Sequence, residues 1–499
     1  MPELYLVAML ALDESKPEPL FQQICMGIRK GILGGQIELG TRLPSIRDLA
    51  KLLEVSRNTV IGAYDQLLDE GYLESRRGAG TFVSNKLPES FLQTQAKHVE
   101  GKKEPLTNRR LSRRSERIES LPDTSILAPH HNPAFRYGLP ALEFFPWDVW
   151  ARFTSHCYRY PRTPMFDYQQ MSGGDEELRQ ELASYLNSAR GLRCDASQIL
   201  ITTGAQQGIY LAAHILADPG NKVWMEEPGY RGATRSFYNA GLELVPVPVD
   251  QEGLDVDAGE VVAPDASFAF VTPSRHHPLG TTMTLQRRLQ LLDWAETKQA
   301  WVIEDDYDSE FRYEGRPLPA LQGLDPYQRV LYVGTLSKVL FPALRLGYLV
   351  VPPDLIDTFV NLRGILDTYT PTISQRVLAR FIKEGHFVRH IRRMRQVYSE
   401  RKDLFLDLAQ THLGENITWQ STDAGMSLTG WLSDDISDVE LSRKAREEGL
   451  FLSPISTCYA KQEQAKQGIA FGFAACNPSQ MDEGLGKLAK ILEEMKRGK

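Results

Sequence analysis

Amphipathic helices alternate with short apolar strands between residues 170 and 350, and no other feature constrains the fold of this chain as strongly. Two strands joined by a helix pair in parallel, because the helix returns the chain to the end of the sheet where the first strand began. The alternation predicts an α/β domain on a mostly parallel sheet, followed from about residue 370 by a small C-terminal α+β subdomain. The predicted strands are 223–225, 268–271, 301–303 and 330–333.

The length of the chain, 499 residues, predicts more than one domain. Hydrophobic residues at 42% and charged residues at 24% are sufficient for large cores without disulfides or metal ions. The apolar stretch from Tyr5 to Leu12 is too short to cross a membrane and lacks the features of a signal peptide. The five cysteines are scattered and form no C-x-x-C pair. We therefore predict a cytoplasmic protein with no metal site.

A first domain is predicted at residues 17–86. Apolar residues recur at helical spacing from Leu20 to Leu33, a second helix follows Ser45, and a third begins at Arg57. Residues 73–83 then read as two short strands around a turn rich in arginine and glycine. Three helices followed by a hairpin are typical of a winged helix-turn-helix domain.

Residues 87–127 are predicted to be a flexible basic linker that precedes a third region, residues 128–499. Between Lys97 and Arg117 six further basic residues oppose three glutamates, although the whole chain has a net charge of -7. Charge acts locally in nucleic-acid binding, so the overall acidity does not exclude a DNA partner. The six basic residues are Lys102, Lys103, Arg109, Arg110, Arg113 and Arg114.

The start of the third helix carries the candidate base-reading residues, because a recognition helix enters the major groove with its N-terminal residues first. Arginine forks onto guanine and asparagine onto adenine, whereas hydroxyl groups bond phosphates or bases. A protein-interaction module with solvated charges is the alternative interpretation. The predicted DNA-binding residues are Ser45, Arg47, Ser56, Arg57, Asn58 and Thr59 of the helices, and Arg76, Arg77, Gly78 and Gly80 of the wing.

Four segments in this region resemble the GntR family of bacterial transcription regulators. They are L-P-S-I-R-D-L-A, V-S-R-N-T-V, G-Y-L and R-R-G-A-G-T-F-V, and they occur in this order within residues 43–83. The resemblance implies binding to double-stranded operator DNA.

A second group of motifs fits the chemistry of pyridoxal phosphate, which needs a lysine, an acid for the pyridine nitrogen, phosphate donors and an aromatic ring. Lys338 follows a predicted strand, and Thr335, Ser337 and Arg345 lie near it as phosphate ligands. A carboxylate within 304–306 lies at the carboxyl end of another strand, where α/β sheets bind ligands. A solvated lysine and an acidic helix start are the alternative interpretations.

Two loops complete this group. Gly204, Ala205 and Gln206 lie between a strand and a helix, so that the backbone N–H groups of the helix start are available to phosphate. Tyr230 follows another strand on a loop, where its ring is able to stack on a cofactor.

Residues 135 to 495 resemble fold-type I pyridoxal-phosphate enzymes, and the two resemblances together are those of MocR/GabR-type regulators. The resemblance implies that Lys338 holds pyridoxal phosphate, Asp305 pairs with the pyridine nitrogen and Tyr307 bonds the phenolic oxygen. It implies further that Tyr230 stacks and Arg345 binds phosphate. Two chains would form a head-to-tail homodimer in which Tyr168 enters the neighbouring subunit's site.

The chain departs from that pattern at two places. The loop that faces the cofactor ring reads P-S-R-H-H-P-L-G at 273–280 instead of the usual asparagine-containing sequence. No arginine for a substrate carboxylate occurs at 470–473 or 453–459. Arg231, Arg235 and Arg275 are the substitutes that we considered.

We therefore predict a transcription regulator that senses an amine or amino acid, which displaces Lys338 to form an external aldimine. One alternative is an active aminotransferase that carries a DNA-binding domain, so enzymatic turnover stays open. The others are a regulator that has lost the cofactor and a regulator that senses pyridoxal phosphate itself. The sequence does not identify the effector, the target genes or the sign of regulation.

Overall fold

The computed structural model describes residues 10, 12–13, 15–76, 78–87, 112, 115–116, 134–160, 166–167, 173–315 and 318–497. The chain divides into two compact units, Met1–Arg109 and Arg110–Lys499. The boundary falls inside the predicted linker, most of which lies outside the described residues.

The first unit is a winged helix-turn-helix, as predicted. Its helices are α1 (Leu20–Leu33), α2 (Ile46–Leu52) and α3 (Arg57–Asp69), and its wing strands are β1 (Leu73–Arg76) and β2 (Gly80–Val83). The wing strands pair antiparallel, with Leu73 opposite Val83. The apolar stripes of the helices pack together in one small core, which contains Ile24, Ile28, Leu49, Val60 and Leu67.

The second unit contains the predicted α/β architecture. Its first helices are α4 (Trp147–Arg159), α5 (Glu176–Arg190), α6 (Ala205–Leu216), α7 (Arg231–Ala240), α8 (Val256–Val262), α9 (Leu285–Lys298) and α10 (Leu321–Leu324). The strands of its large sheet are β3 (Ile199–Thr202), β4 (Lys222–Glu227), β5 (Glu243–Asp250), β6 (Gly253–Leu254), β7 (Phe268–Val271), β8 (Trp301–Asp306), β9 (Val330–Thr335) and β10 (Gly347–Val350).

The large sheet has the strand order β3-β10-β9-β8-β7-β4-β5-β6. Strands β9, β8, β7, β4 and β5 pair in parallel, whereas β10 runs antiparallel to both of its neighbours. Helices cover both faces, so successive strand residues enter separate cores: Ile303 and Val333 contribute to one, Val302 and Val330 to the other. Asp305 of β8 lies opposite Val333 of β9. The segments that follow these two strands therefore meet at one edge of the sheet.

The C-terminal part is the predicted α+β subdomain. Its four-stranded antiparallel sheet has the order β11-β12-β14-β13, with β11 (Thr418–Trp419), β12 (Ser427–Trp431), β13 (Ser453–Pro454) and β14 (Gly468–Gly472). The helices after β10 are α11 (Ile356–Leu366), α12 (Thr372–Lys383), α13 (His386–Leu413), α14 (Asp438–Glu447) and α15 (Pro478–Arg497). In the part of the chain that the structure describes, no helix is both long and apolar enough to cross a membrane.

Candidate functional site

The start of α3 presents the two strongest base-reading candidates to solvent. Ser56 caps the helix, since its Oγ accepts the Thr59 backbone N–H at 3.1 Å and lies 2.8 Å from Thr59 Oγ1. Arg57 and Asn58 in the first turn are exposed. Ser56 and Thr59 therefore fix the helix start, while the longer side chains between them extend toward solvent.

Ser45 has the same capping role on α2. Its Oγ accepts the Asp48 backbone N–H at 3.2 Å and donates to Asp48 Oδ2 at 2.6 Å. Arg47 lies in the first turn of this helix and is exposed. A phosphate contact by Ser45 would have to share its hydroxyl with the cap, whereas no described residue pairs with the Arg47 side chain.

The wing holds Arg76 in a defined position. Its Nε and Nη2 donate to Glu74 Oε1 at 2.9 and 2.5 Å, and its guanidinium carbon lies 4.4 Å from the centre of the Phe82 ring. Gly78 and Gly80 adopt φ values of 74° and 109°. A residue with a side chain would be strained in this conformation. Arg77 lies outside the described residues.

Arg42 is a wing residue that the sequence analysis missed. It forms an isolated antiparallel bridge with Phe82, and its Nε is 3.1 Å from the position of a Cβ added to Gly80. This places an exposed guanidinium over the tip of the wing. The available signal was its position directly before the L-P-S segment, and the pairing with the wing was not visible in the sequence.

The three carboxylates at the end of β8, Glu304, Asp305 and Asp306, have different surroundings. Glu304 accepts the backbone N–H groups of Leu321 and Gln322, both at 2.9 Å. Asp306 forms a buried ion pair with Arg190 at 2.8 Å. Glu304, Asp305 and Asp306 lie within a strand, so the interpretation as an acidic helix start is wrong for these three residues.

Asp305 is the carboxylate of these three to which the described residues offer neither a hydrogen bond nor an ion pair. Its side chain is buried, and its Oδ1 has no hydrogen-bond partner among the described residues. Burial raises the pKa of this carboxyl to about 7, and the charge of Asp306 adds to the increase. A buried acceptor of this kind requires a cationic or N–H donor that the described protein does not supply.

Lys338 follows β9 and is close to Asp305 in the fold. Its Nζ donates to the carbonyl oxygen of Gly138 at 3.0 Å. Loss of hydration lowers the pKa of Lys338, the charge of Asp308 opposes this decrease, and the charge of Arg136 adds to it. A lower pKa increases the fraction of the uncharged amine, which is the nucleophilic form.

An anion cradle lies at the N-terminus of α6. Gly204 precedes the helix with a φ of 123°, and a Cβ placed on it would lie 3.4 Å from Arg345 Nη2. A Cβ on Gly347 would lie 2.7 Å from the Gly204 carbonyl carbon, so both glycines permit the close approach of β10 to the helix start. The first N–H groups of α6 and the Arg345 guanidinium therefore converge, as a phosphate site requires.

The remaining predicted phosphate ligands bond to other groups. Gln206 donates its side-chain N–H to the Gly232 carbonyl at 2.8 Å and to Ser236 Oγ at 2.5 Å, which leaves its backbone N–H for an anion. Thr335 Oγ1 accepts the Ser337 backbone N–H at 3.3 Å. Ala205 begins α6 and contributes only its backbone.

Aromatic rings enclose the space between these groups, and His277 lies at their centre. Its Nδ1 is 2.8 Å from Tyr137 Oη, and its ring contacts Tyr230 and Tyr307 edge-on at centroid distances of 5.5 and 6.1 Å. Burial lowers the pKa of His277 to about 3, so the imidazole is neutral. Neither His277 nor Tyr137 was predicted from the sequence as a site residue. The doubled histidine in the unusual 273–280 loop was the available signal.

Arg275 is unsuitable as a ligand for an effector carboxylate. Its Nη1 donates at 3.1 Å both to Tyr307 Oη and to Asp308 Oδ2, and its Nε and Nη2 donate to Ala424 O and to Ser427. The side chain is buried with these partners. Of the three substitutes considered from the sequence, Arg231 and Arg235 on α7 remain hypotheses.

The residues at this edge of the sheet fit pyridoxal phosphate. Asp305 offers an unpaired buried carboxylate to a pyridinium, Lys338 an amine to an aldehyde, and the α6 cradle with Arg345 a site for phosphate. Tyr307 Oη accepts a hydrogen bond from Arg275, and its contact with the phenolic oxygen of the cofactor stays a prediction. Tyr168, predicted to come from the neighbouring subunit, lies outside the described residues.

The unpaired state of Asp305 predicts a pH-dependent effect on stability. Its folded pKa of about 7 is above the ordinary value of 3.8, so ionisation of Asp305 destabilises the cofactor-free protein above pH 7, and this penalty vanishes as the pH falls to about 4. Asp305→Asn should therefore raise the melting temperature of the cofactor-free protein at about pH 8 and leave it unchanged near pH 4. Asp306→Asn, which breaks the Arg190 pair, should lower it at about pH 8. Equal effects of the two variants would contradict this assignment.

The cradle predicts that Arg345→Ala weakens the binding of pyridoxal phosphate about 10- to 100-fold, because a charge-assisted hydrogen bond contributes about 1.5–3 kcal/mol. Fluorescence titration of the cofactor-free variant measures this loss. Unphosphorylated pyridoxal provides the control, since its affinity should not change. A similar loss for both ligands would remove Arg345 from the phosphate site.

Two family profiles match the chain. Residues 20–83 match the family described as bacterial regulatory proteins, gntR family, and residues 164–488 match aminotransferase class I and II. The first match coincides with the winged helix, and the second spans the sheet edge that carries Asp305 and Lys338.

Curated relatives share both parts. The chain is 39% identical over 480 residues to the probable rhizopine catabolism regulatory protein MocR of Rhizobium meliloti, covering 96% of this chain and 95% of the relative. It is 32% identical to the pyridoxine biosynthesis transcriptional regulator PdxR of Corynebacterium glutamicum, covering 93% and 94%.

Solved structures of aminotransferases match the second unit. LysN of Thermus thermophilus, an α-aminoadipate aminotransferase complexed with a phosphopyridoxyl-leucine, is 27% identical with a TM-score of 0.71, covering 78% of this chain and 98% of that chain. The kynurenine aminotransferase of Pyrococcus horikoshii is 26% identical with a TM-score of 0.67, covering 78% and 95%.

Proposed function

This chain belongs to the MocR-type transcription regulators, and we propose that it couples the reaction of an amine effector at Lys338 to operator binding by its winged helix. The observation that carries the proposal is the buried Oδ1 of Asp305, which no described residue pairs, in the same site as a lysine of lowered pKa. A chain that had lost its cofactor would have no physical reason to keep a destabilising carboxylate there.

Pyridoxal phosphate, when bound, supplies an aldehyde carbon that reacts reversibly with primary amines. Lys338 provides the resident amine, and loss of hydration lowers its pKa, which favours the uncharged form. Asp305 holds a proton on the pyridine nitrogen by its negative charge. The α6 start and Arg345 fix the phosphate end, while His277 and the surrounding tyrosines exclude water from the ring.

An incoming amine would compete with Lys338 for the aldehyde that pyridoxal phosphate supplies, and its binding would leave the Lys338 side chain free. Such an exchange shifts a conformational equilibrium only if the two conformations bind the amine with different affinities. Glu227 is one link through which the site reaches the C-terminal subdomain, because its carboxylate accepts the backbone N–H groups of Ala460 and Lys461 at 2.9 Å. Gly229 next to Tyr230 donates to the Cys458 carbonyl at 3.0 Å.

The winged helix is the part of the chain that binds a double-stranded operator. Arg57 and Asn58 read bases, and Arg47, Arg42 and the wing hold phosphates. Neutralised phosphates release counterions, so affinity decreases steeply with salt. We place the protein in the cytoplasm, where the operator is accessible, and propose a head-to-tail homodimer in which each protomer contributes one winged helix to the operator.

Turnover as an aminotransferase is the second candidate, and the fold of the second unit favours it. No arginine lies on β14 or in the 453–459 segment to hold a substrate carboxylate. The proposed function therefore requires binding and exchange but no catalytic turnover.

The test is an operator-binding assay on the full-length protein loaded with pyridoxal phosphate. The duplex is selected from a random-sequence pool, and its affinity is measured with a panel of amines and amino acids. At least one compound should change the affinity 5-fold or more in the wild type and not in Lys338→Ala, a size typical of allosteric coupling. An affinity that responds to pyridoxal phosphate alone and to no compound of the panel would contradict the proposal.

A further inference from the structure

The arginines around the cofactor site differ in whether their guanidinium groups already form ion pairs within the protein. Arg190 is paired with Asp306, Arg363 with Asp367, and Arg275 with Asp308. Arg345 is adjacent to the anion cradle at Gly204. Arg136 is different, because its side chain has no ion pair or hydrogen bond with any described residue although it is only partly exposed.

The backbone on both sides of Arg136 is fixed. Phe135 is buried in edge-on contact with Phe405 and Phe471, and its carbonyl accepts the Gly472 N–H at 3.0 Å. Tyr137 bonds His277 through its hydroxyl at 2.8 Å. Arg136 is therefore held beside β14, the strand on which no arginine is present.

This segment also touches the reactive lysine. Gly138, two residues after Arg136, accepts the hydrogen bond from Lys338 Nζ, and a Cβ on Gly138 would lie 2.4 Å from that nitrogen. Two residues of chain span at most about 7 Å, which an arginine side chain is long enough to bridge. The charge of Arg136 accordingly acts on Lys338 and lowers its pKa.

The segment that contains Arg136 is able to approach β14 closely because residue 472 of that strand is a glycine. A Cβ on Gly472 would lie 2.1 Å from the Arg136 carbonyl oxygen, so any other residue at 472 would displace the segment. The absence of a side chain there keeps Arg136 next to the site.

We propose that Arg136 binds the carboxylate of the effector, which is therefore an amino acid and not a simple amine. The inference rests on the proposed function, because it concerns a compound whose nitrogen takes the position of Lys338. Such a compound carries its carboxylate a few bonds from that nitrogen, within reach of a guanidinium that binds it through two parallel hydrogen bonds. A second ammonium group in the same place would be repelled by Arg136.

The test compares amino acids with the amines that lack only their carboxylate. The probes are L-alanine with ethylamine, L-phenylalanine with 2-phenylethylamine, and L-lysine with 1,5-diaminopentane. Equilibrium binding is followed by the visible spectrum of the loaded full-length protein, and operator affinity is recorded in the same samples. The variants are Arg136→Gln and Arg136→Lys, with Arg497→Gln on the exposed end of α15 as the matched control.

In the wild type at least one amino acid should bind 10-fold or more tightly than its paired amine. Arg136→Gln should remove this preference by weakening the amino acid about 10-fold and leaving the amine within 3-fold, whereas Arg136→Lys should retain part of it. Arg497→Gln should behave as wild type. Amines that bind as well as their amino acids, or a variant that weakens both members of a pair equally, overturn the inference and leave the proposed function standing. Failure of all six compounds to react overturns both.

A second readout uses the cofactor-free protein and does not depend on any effector. The pH profile of acylation at Lys338, measured by peptide mass spectrometry, should shift to higher pH in Arg136→Gln and not in Arg136→Lys, because only the first variant removes the positive charge. An unshifted profile with an unchanged melting temperature contradicts the position assigned to the guanidinium.

Discussion

Lys338→Ala abolishes the covalent attachment of pyridoxal phosphate and with it the response of operator binding to effector. The variant lacks the amine that the structure places within hydrogen-bond distance of the Gly138 carbonyl at the cofactor site. Borohydride should fix the cofactor on the wild-type protein and leave none on the variant after denaturation, as measured by intact-mass spectrometry. The effect is complete because the alanine side chain carries no nucleophile.

Lys298→Ala is the matched control. Lys298 is a lysine of the same domain, paired with Glu260 on the surface at 3.5 Å. It should retain full labelling and an unchanged effector response. Labelling of Lys338→Ala at the wild-type level would place the cofactor on a different lysine and contradict the site.

Arg57→Ala should weaken operator binding about 10- to 100-fold and relax sequence preference at one base pair, because a bidentate contact with a base contributes about 1–3 kcal/mol. The physical reason is the exposed position of Arg57 in the first turn of a helix whose start is capped by Ser56. Affinities for the selected operator and for a shuffled duplex are measured at one salt concentration by fluorescence anisotropy.

Lys30→Ala is the control for charge. Lys30 lies in the last turn of α1, away from the start of the recognition helix. Its loss should change the affinities for both duplexes by less than about 3-fold, since a single distant charge contributes little. If Arg57→Ala weakened both duplexes equally, Arg57 would be a phosphate contact and not a base-reading residue.

Periodicity and turn residues were sufficient to predict the two kinds of domain. The alternation of strands and helices predicted a mostly parallel sheet. The cap at Ser45 and the turn that ends at Ser56 predicted where the second and third helices of the first unit begin. The acidic run was placed at the end of a strand, but spacing alone did not distinguish Glu304, Asp305 and Asp306. Only the contacts of Glu304 and Asp306 leave Asp305 as the unpaired member.

The residues that the sequence did not predict come from segments remote along the chain. Tyr137 meets His277 across 140 positions, and Gly138 meets Lys338 across 200. Arg42 joins a wing formed thirty or more residues later. No local pattern encodes such contacts, because they depend on how separate elements pack.

The most direct test of coupling is a titration of one effector into the loaded protein with labelled operator, in which the visible spectrum and the DNA anisotropy are recorded together. If exchange at Lys338 controls DNA binding, both signals should change with the same midpoint, and saturating operator should shift that midpoint by the same factor by which the effector changes operator affinity. A complete spectral change at constant anisotropy, with a midpoint that operator does not move, would contradict the account.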